Sequence, residues 1–296
     1  TIQYLAAQGM TGAMMLESGF ASAYDTNLAK YADTPLTNDS TFEYMGNATF
    51  ATFDTFVNAK SKYVYNMPSS GDLDLAFRTK ESTANGVNYS LNYSYNYDKN
   101  PIINMDWVND SGEKLITTLN ATNSISLTDA SGGRYGGYGT GGTSQGAATL
   151  QFEQTVKRAH NLGGSFDTAI ETKSLGPVVI RGEALYQKDV YSPVMDLAAL
   201  SIGDLQTALT MVKGDRFKYV LGADITALTN MMVSAQFIQD RNLDYIDTTS
   251  TVGNIAVTGA KFTSDYSSMS LSNNFNKAQE NKEFYSLFLS KPFGAS

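Results

Sequence analysis

The sequence predicts an all-β protein, specifically an antiparallel transmembrane β-barrel with short periplasmic turns and long outer loops. Three observations lead to this prediction. Only 17% of the 296 residues are charged, against about 25% in soluble domains. The chain has no run of about 18 or more apolar residues from which a membrane-spanning helix could form. Several segments instead alternate apolar and polar residues. Strands of a transmembrane barrel have this pattern, so their mean hydropathy stays low although one face is apolar.

The first predicted hairpin contains the clearest alternation in the chain. Residues 87–97 alternate without error, with Val, Leu or Tyr side chains on one face and Asn or Ser on the other. A tilted strand of about 9–11 residues spans a bilayer. The preceding strand places Leu75 and Phe77 on one face. Asn85 and Gly86 supply the turn between the two strands, because both residue types tolerate positive φ.

Two later hairpins repeat this pattern. One covers residues 165–187 and turns at 173–177, and the other covers 216–237 and turns at 228–230. In both hairpins apolar side chains occupy one face and charged or polar side chains the other, which is the period of a β-strand.

The domain organisation follows from where the alternation begins. Residues 1–45 do not alternate and are predicted to form an irregular N-terminal segment or plug. Residues 46–296 are predicted to form the β-barrel, which we expect to be incomplete because 292–296 does not resemble a terminal barrel strand. The one predicted helix, 201–211, begins with a Ser-x-x-Asp capping pattern. A single helix cannot cover so many apolar strand faces, which favours the membrane barrel over a soluble β protein.

The lengths of the connections give a second test of the barrel. Transmembrane barrels alternate short periplasmic turns with long outer loops. If residues 155–172 form one continuous strand and 98–101 is a short outer loop, the connections alternate without error. Short turns are then expected at 81–86, 109–112, 173–176 and 228–231, and longer connections at 122–150, 190–214 and 246–280.

The composition argues against several classes of function. The chain has no cysteine, and His160 is its only histidine, which disfavours thiolate chemistry, transition-metal sites and histidine-dependent hydrolysis. The net charge of −8 disfavours nucleic acid as a partner. The sequence therefore predicts no enzymatic activity, no cofactor and no metal. The expected partners are outer-membrane lipid and lipopolysaccharide, with a homo-oligomer left open, and the expected location is the bacterial outer membrane.

Two further motifs have ordinary explanations. The glycine-rich segment 132–142 is not followed by a helix, as a phosphate-binding loop would require, so we expect an outer loop. Asp240, Asp244 and Asp247 lie close in the sequence but lack the Gly and terminal Glu of an EF-hand. A solvated acidic loop is the expected structure there, and a divalent-cation site is the alternative.

Charged and polar side chains on the strand faces opposite the apolar ones define a candidate site. Centring the turn of the 165–187 hairpin places Arg181 opposite Asp167 or Ala169, within ion-pair reach of Asp167 or Glu171. Either a static network or a permeation site fits this pattern, because rings of charge set selectivity in pores. We call the predicted set the charge belt and expect it to line the lumen: Asp167, Glu171, Arg181, Glu183, Lys218, Asp224 and Gln236.

Four segments carry a resemblance to a known family. Residues 176–186, GPVVIRGEALY, resemble a G-x-x-x-x-R-x-E-x-x-Y strand, and the other segments are 89–101, 160–167 and 219–239. Together they span roughly residues 70–245 and resemble domain-of-unknown-function family 1302, a family of large Gram-negative outer-membrane proteins. The resemblance implies an outer-membrane barrel with a role in the uptake or export of hydrophobic compounds or lipids. It transfers no catalytic residues.

The predicted function is a porin-like outer-membrane channel or transporter, and the resemblance implies hydrophobic compounds or lipids as the molecules it transports. The alternative is a structural or scaffold barrel that surrounds or presents a partner protein. Pore conductance separates the two hypotheses, because a barrel filled by a partner should not conduct.

Overall fold

The computed structural model describes most of the chain from Lys60 onwards and only a few residues before it. Predicted segment 1–45 therefore lies almost entirely outside the described residues, and segment 137–142 of the glycine-rich motif does too. The described residues are 45, 48, 52, 55, 56, 59–69, 71–119, 125–136, 144–227, 230–253, 255–270 and 275–292.

From Lys60 onwards the described residues form fifteen strands, two short helices and one 3-10 turn at Tyr266–Ser270. The helices are α1 (Leu197–Ser201) and α2 (Leu205–Ala208). The strands are β1 (Lys60–Asn66), β2 (Leu75–Ser82), β3 (Asn88–Tyr97), β4 (Ile102–Val108), β5 (Ile116–Leu119), β6 (Ile125–Thr128), β7 (Arg134–Tyr135), β8 (Thr149–Thr155), β9 (Arg158–Thr172), β10 (Gly176–Asp196), β11 (Leu209–Ala227), β12 (Met231–Asn242), β13 (Asp247–Val252), β14 (Ile255–Thr263) and β15 (Asn281–Ser290).

The largest sheet is an antiparallel meander. Its strands follow the order β15-β12-β11-β10-β9-β3-β2, while β13 and β14 pair with each other and β14 also pairs with the end of β10. The predicted all-β class with antiparallel sheets is confirmed, although β1 and β8 of a smaller sheet are parallel. Among the described strands the large sheet is open, because β15 and β2 each have a neighbour on one side only.

The strict alternation of the sequence appears in this sheet as two different faces. Directly paired residues share a face, so the register assigns most of the apolar side chains of the seven meander strands to one side. Many of these side chains are exposed, and Leu75, Leu162 and Tyr285 are 61%, 56% and 78% exposed. We call this side the apolar face and the opposite side the polar face.

Three of the four predicted short turns join neighbouring strands of the large sheet, whereas the turn at 109–112 follows β4, outside this sheet. Residues 83–87 join β2 to β3 through Gly86, which has a φ of 78°, and 173–175 join β9 to β10. Strand β9 runs unbroken through the glycines at 163 and 164, as the alternation of connection lengths required. The third turn joins Ala227 to Met231, and residues 228 and 229 of it lie outside the described part of the chain.

The predicted return of the chain at 98–101 is wrong. Strand β3 pairs directly with β9, whereas β4 pairs with β8 in a separate sheet. Residues 98–157 therefore form one long excursion from the large sheet. Short and long connections still alternate along the large sheet. The short turns lie at one end of its strands, and three long excursions lie at the other end: 98–157, 197–208 and 243–280.

These three excursions pack together into a single hydrophobic body, which we call the cap. Trp107 of the first excursion, Leu200 of the second and Phe262 of the third belong to one buried cluster, each 2% exposed or less. Met45 and Ala48 join the same cluster. The long connections are therefore a folded layer over one end of the sheet, and part of the predicted loop 190–214 belongs to β10 and β11.

The predicted helix 201–211 is also wrong, and the reason is local. Helix α1 ends before Gly203, which has a φ of 86°. The amide N–H groups of Gly203 and Asp204 bond back to the carbonyls of Leu200 and Ala199, at 2.8 and 3.0 Å, as in a glycine-terminated helix. Asp204 then caps α2 instead of closing the first turn of a longer helix. Within the described residues no helix has the length and apolarity needed to span a membrane.

Candidate functional site

All seven residues of the charge belt lie on the polar face. Asp167 pairs with Arg181, Arg181 with Gly222, and Gly222 with Gln236, so these positions form one row across four strands. The predicted register of Arg181 opposite Asp167 is confirmed. The remaining members have the same strand parity as the residues in this row, which assigns them to the same side: Glu171, Glu183, Lys218 and Asp224.

The predicted ion pair of Arg181 is wrong in its partner. Its Nη2 lies 2.8 Å from Oδ1 of Asp224 and donates to Oγ of Ser234 at 3.2 Å. Gly222 is in β11, between Arg181 in β10 and Ser234 in β12. A Cβ built at Gly222 would be only 3.1 Å from Arg181 Nε. The absence of a side chain at Gly222 therefore lets the guanidinium cross β11 away from Asp167. Asp167 instead accepts a hydrogen bond from Nδ2 of Asn88 at 2.8 Å.

Polar side chains continue this network towards the cap. Ser90 and Ser165 share a hydrogen bond of 2.8 Å. Two rows further on the same face, Gln187 donates to Asn161 at 2.8 Å, and Asn161 donates to Asn96 at 2.9 Å. Hydrogen bonds between side chains on the polar face thus connect neighbouring strands. They give these polar groups the partners that they would otherwise need from water.

Three members of the charge belt take no part in these networks. In the described structure, the side chains of Glu171, Glu183 and Gln236 form no hydrogen bond or ion pair with other residues. Glu171 and Glu183 are also exposed. These groups are therefore available to a ligand or to water.

The polar face is concave. It encloses a trough of about 810 Å³ whose polar lining includes Arg78, Asn92, Ser165, Glu183 and Lys218. Its volume falls in the range of about 300–1,000 Å³ that is usual for ligand sites. Two charge-belt residues, Glu183 and Lys218, therefore line a space large enough for a solute.

Near the cap the polar face carries a charged cluster that the sequence analysis missed. Asp240 lies 3.6 Å from Nη1 of Arg216 and 3.7 Å from Nζ of Lys218. Tyr266 lines the adjacent cavities together with Arg216 and donates to the backbone carbonyl of Tyr191 at 2.6 Å. Strand parity with Lys218 and Gln236 was the signal that assigns Arg216 and Asp240 to this face.

The three aspartates of the predicted acidic loop do not converge. Asp240 pairs with Arg216 and Lys218, Asp244 accepts the backbone N–H of Asp215 at 2.7 Å, and Asp247 pairs with Lys277 at 2.8 Å. Across the ranges that the structure describes, no group of three His, Cys, Asp or Glu side chains could hold a metal ion.

His160 lies on the apolar face at the cap end of the sheet. Its Nδ1 is 2.9 Å from the hydroxyl of Tyr93, and its ring stacks on Tyr95 with centroids 4.5 Å apart. Arg158 stacks over Tyr97 at 4.2 Å and forms an ion pair with Asp74 at 3.2 Å. These contacts form an aromatic and basic border at one end of the apolar side chains and bring no nucleophile to the histidine.

Comparisons with models of protein families, with curated proteins and with solved structures found no match for this chain. The resemblance to domain-of-unknown-function family 1302 therefore stays a prediction.

Proposed function

We propose that this chain forms the wall of an outer-membrane β-barrel, in which the apolar face contacts lipid, the polar face lines an aqueous lumen, and the protein acts as a channel or transporter. The observation that carries the proposal is the contrast between the two faces of one sheet. Exposed apolar side chains extend across seven strands on the convex side, whereas the concave side holds the charge belt and the trough. An apolar surface of this extent requires a partner, and lipid supplies one.

The position of the apolar side chains within the sheet supports tilted strands. The row through Phe166 includes Leu221, Phe237 and Tyr285 but ends at Glu81 in β2. The row through Leu162 has the opposite order: Phe77 and Tyr93 at the β2 side, and Arg241 and Asn281 at the β15 side. The apolar band therefore crosses the hydrogen-bonded rows obliquely. A membrane produces this pattern when strands tilt by about 35–45°, as they do in barrels.

The number of strands limits how such a barrel can close. The meander contains seven antiparallel strands, so its two edges, β2 and β15, run in the same direction. Direct pairing of these edges would be parallel, whereas bacterial outer-membrane barrels are antiparallel with an even number of strands. The proposed barrel therefore includes an odd number of further strands between β15 and β2.

The sidedness is tested by labelling single cysteines, because the natural chain has none. We expect a water-soluble maleimide to react at Asn92→Cys and Ser165→Cys, which lie on the polar face. In lipid vesicles it should not react at Leu91→Cys and Leu162→Cys, which lie on the apolar face. The reverse pattern, or a monodisperse protein in buffer without detergent, would overturn the proposal.

The scaffold alternative has one observation in its favour. The long connections form a packed cap with a buried core, and a folded cap is better suited than separate loops to presenting a partner. Single-channel recording in planar bilayers distinguishes the two functions, since steps of conductance support the channel and a closed bilayer supports the scaffold.

A further inference from the structure

The polar face is not uniformly polar. Near β15 it carries an unbroken row of apolar residues: Val220 pairs with Ile238, and Ile238 pairs with Phe284. Phe284 is 54% exposed, and Phe288, on the same face, is 53% exposed. Val220 and Ile238 also line the trough together with Leu185 of the adjacent row. We call Leu185, Val220, Ile238 and Phe284 the apolar lane.

Arg78 lines the opposite side of the trough, and Lys80 lies next to it on the same face. Arg78 and Lys80 are two residues apart in the edge strand β2, and their register with Asn92 and Ser90 assigns both to the polar face. In the part of the chain that the structure describes, neither side chain has an ion-pair or hydrogen-bond partner. Two neighbouring cations without a carboxylate form a site for an anionic group.

Between these two parts the trough has a low floor. Gly163 lies between Asn92 and Leu185 in one row, and Ser165 lies between Ser90 and Glu183 in the next. Three inter-strand spacings separate β2 from β10, a distance of roughly 14 Å at about 4.8 Å per spacing. Small side chains over this span leave room for an extended molecule that reaches from the cations to the apolar lane.

We propose that the trough binds an amphipathic anion, a molecule with a carboxylate or phosphate head and a single long hydrocarbon chain. The head lies against Arg78 and Lys80, and the chain crosses Gly163 and follows the apolar lane towards β15. This inference rests on the proposed function and names its substrate class. Exposed aromatic and aliphatic side chains inside an aqueous lumen are unfavourable unless an apolar ligand covers them.

Substitution of Glu183 distinguishes an anionic ligand from a cationic one. It borders the trough beside Val220 and has no partner among the described residues. Its carboxylate opposes an anionic ligand and would favour a cationic one. Removing this charge should therefore strengthen the binding of an amphipathic anion and weaken the binding of an amphipathic cation.

The experiment uses the full chain in neutral phosphatidylcholine nanodiscs and a laurate analogue that carries a diazirine at its methyl end. We expect photo-cross-links at Val220, Ile238 or Phe284, and competition by laurate and by dodecyl phosphate but not by dodecyltrimethylammonium. The relative strength of the two anionic competitors identifies the preferred head group. Empty nanodiscs correct for partitioning of the probe into lipid.

Variants locate the two ends of the ligand. The double substitution Arg78→Gln with Lys80→Gln should weaken laurate binding about tenfold, whereas Arg241→Gln, on the apolar face, should leave it unchanged. Val220→Thr should reduce the cross-link yield, and Val233→Thr on the opposite face should not. Glu183→Gln should increase laurate affinity.

Stronger competition by dodecyltrimethylammonium together with weaker binding in Glu183→Gln would overturn the assignment of an anion. An inserted, conducting protein without cross-links in the apolar lane would overturn this inference alone. A protein that is stable without lipid but still cross-links at Ile238 would overturn the membrane barrel and leave the binding site standing.

Discussion

Arg181 forms its ion pair with Asp224 across the side-chain gap at Gly222, and not with Asp167, which lies directly opposite it in β9. This arrangement leaves Arg181 and Lys218 as the two positive members of a belt that also holds Asp167, Glu171, Glu183 and Asp224. The pair is partly exposed to solvent, so its net stabilisation is small, on the order of 0–1 kcal/mol. Its larger effect is on the electrostatic potential of the polar face.

Arg181→Glu tests whether the charge belt lines a conducting path. The substitution replaces one of the belt's two cations by a fifth carboxylate, so ion selectivity should shift towards cations. The reversal potential in a potassium chloride gradient measures this shift. Arg241→Glu is the matched control, because Arg241 lies on the apolar face and bonds to Asn281 at 3.0 Å. Lower stability with unchanged selectivity would show that the belt is only structural.

Gly182→Ala tests a close contact on the apolar face. Gly182 is buried, and a Cβ at this position would overlap the ring of Phe166, which covers the glycine from the paired strand. The forced movement of this ring should lower the free energy of unfolding by about 1–3 kcal/mol. Urea unfolding in detergent micelles measures the loss. Gly163→Ala is the control, since its Cβ would meet nothing nearer than the Ala184 carbonyl oxygen at 3.5 Å, and an equal loss in both variants would contradict the prediction.

Asp196→Ala tests the junction between the sheet and the cap. The buried carboxylate of Asp196 accepts the backbone N–H groups of Ala198 and Ala199, both at 3.1 Å, and the hydroxyl of Ser250 at 2.6 Å. Its removal leaves these donors unpaired and should lower the stability of the cap by about 2 kcal/mol. Limited proteolysis of the cap during thermal unfolding measures the effect.

The matched control for this junction is Asp204→Ala. Asp204 caps α2 through residue Thr207 alone, whose N–H donates to its carboxylate at 3.3 Å and whose side chain also bonds to it. Burial raises the pKa of its carboxyl, which means that folding stabilises the charged carboxylate less. We expect a smaller loss than in Asp196→Ala, and a larger one would show that the capping geometry does not decide the stability of the cap.

Asp129 gives the β6–β7 turn a dependence on pH. Hydrogen bonds from the Ser131 hydroxyl and from the Gly133 N–H, both 2.7 Å, hold the pKa of its carboxyl below the usual value of 3.8. A lowered pKa stabilises the turn above the unfolded pKa, and this stabilisation disappears as the pH falls through the folded value. Amide exchange protection at Ser131 and Gly133 should therefore decrease below about pH 4.

Asp129→Asn separates this effect from general acid unfolding. The amide oxygen keeps an acceptor for the turn but does not titrate, so protection at these two amides should no longer depend on pH in that range. A parallel decrease in the variant and in the natural chain would assign the change to the fold as a whole.

The sequence by itself determined which side chains share a face and where the tight turns lie. A strand has a side-chain period of two, so alternation over 87–97 separates the two faces before any pairing is known. Asn85 and Gly86 fix a local turn because they tolerate positive φ. The same logic limited the residue opposite Arg181 to Asp167 or Ala169, since a short turn determines the register of its hairpin, and the structure has Asp167 there.

Only the tertiary structure decided which distant segments meet. Strand β4 alternates like a barrel strand but pairs with β8, and β3 reaches its partner β9 across sixty intervening residues, 98–157. No local pattern specifies such a choice, because it depends on how the three excursions bury their apolar residues together in the cap. The ion-pair partner of Arg181 could likewise not be predicted from the register of one hairpin, because it depends on the space that Gly222 leaves on a third strand.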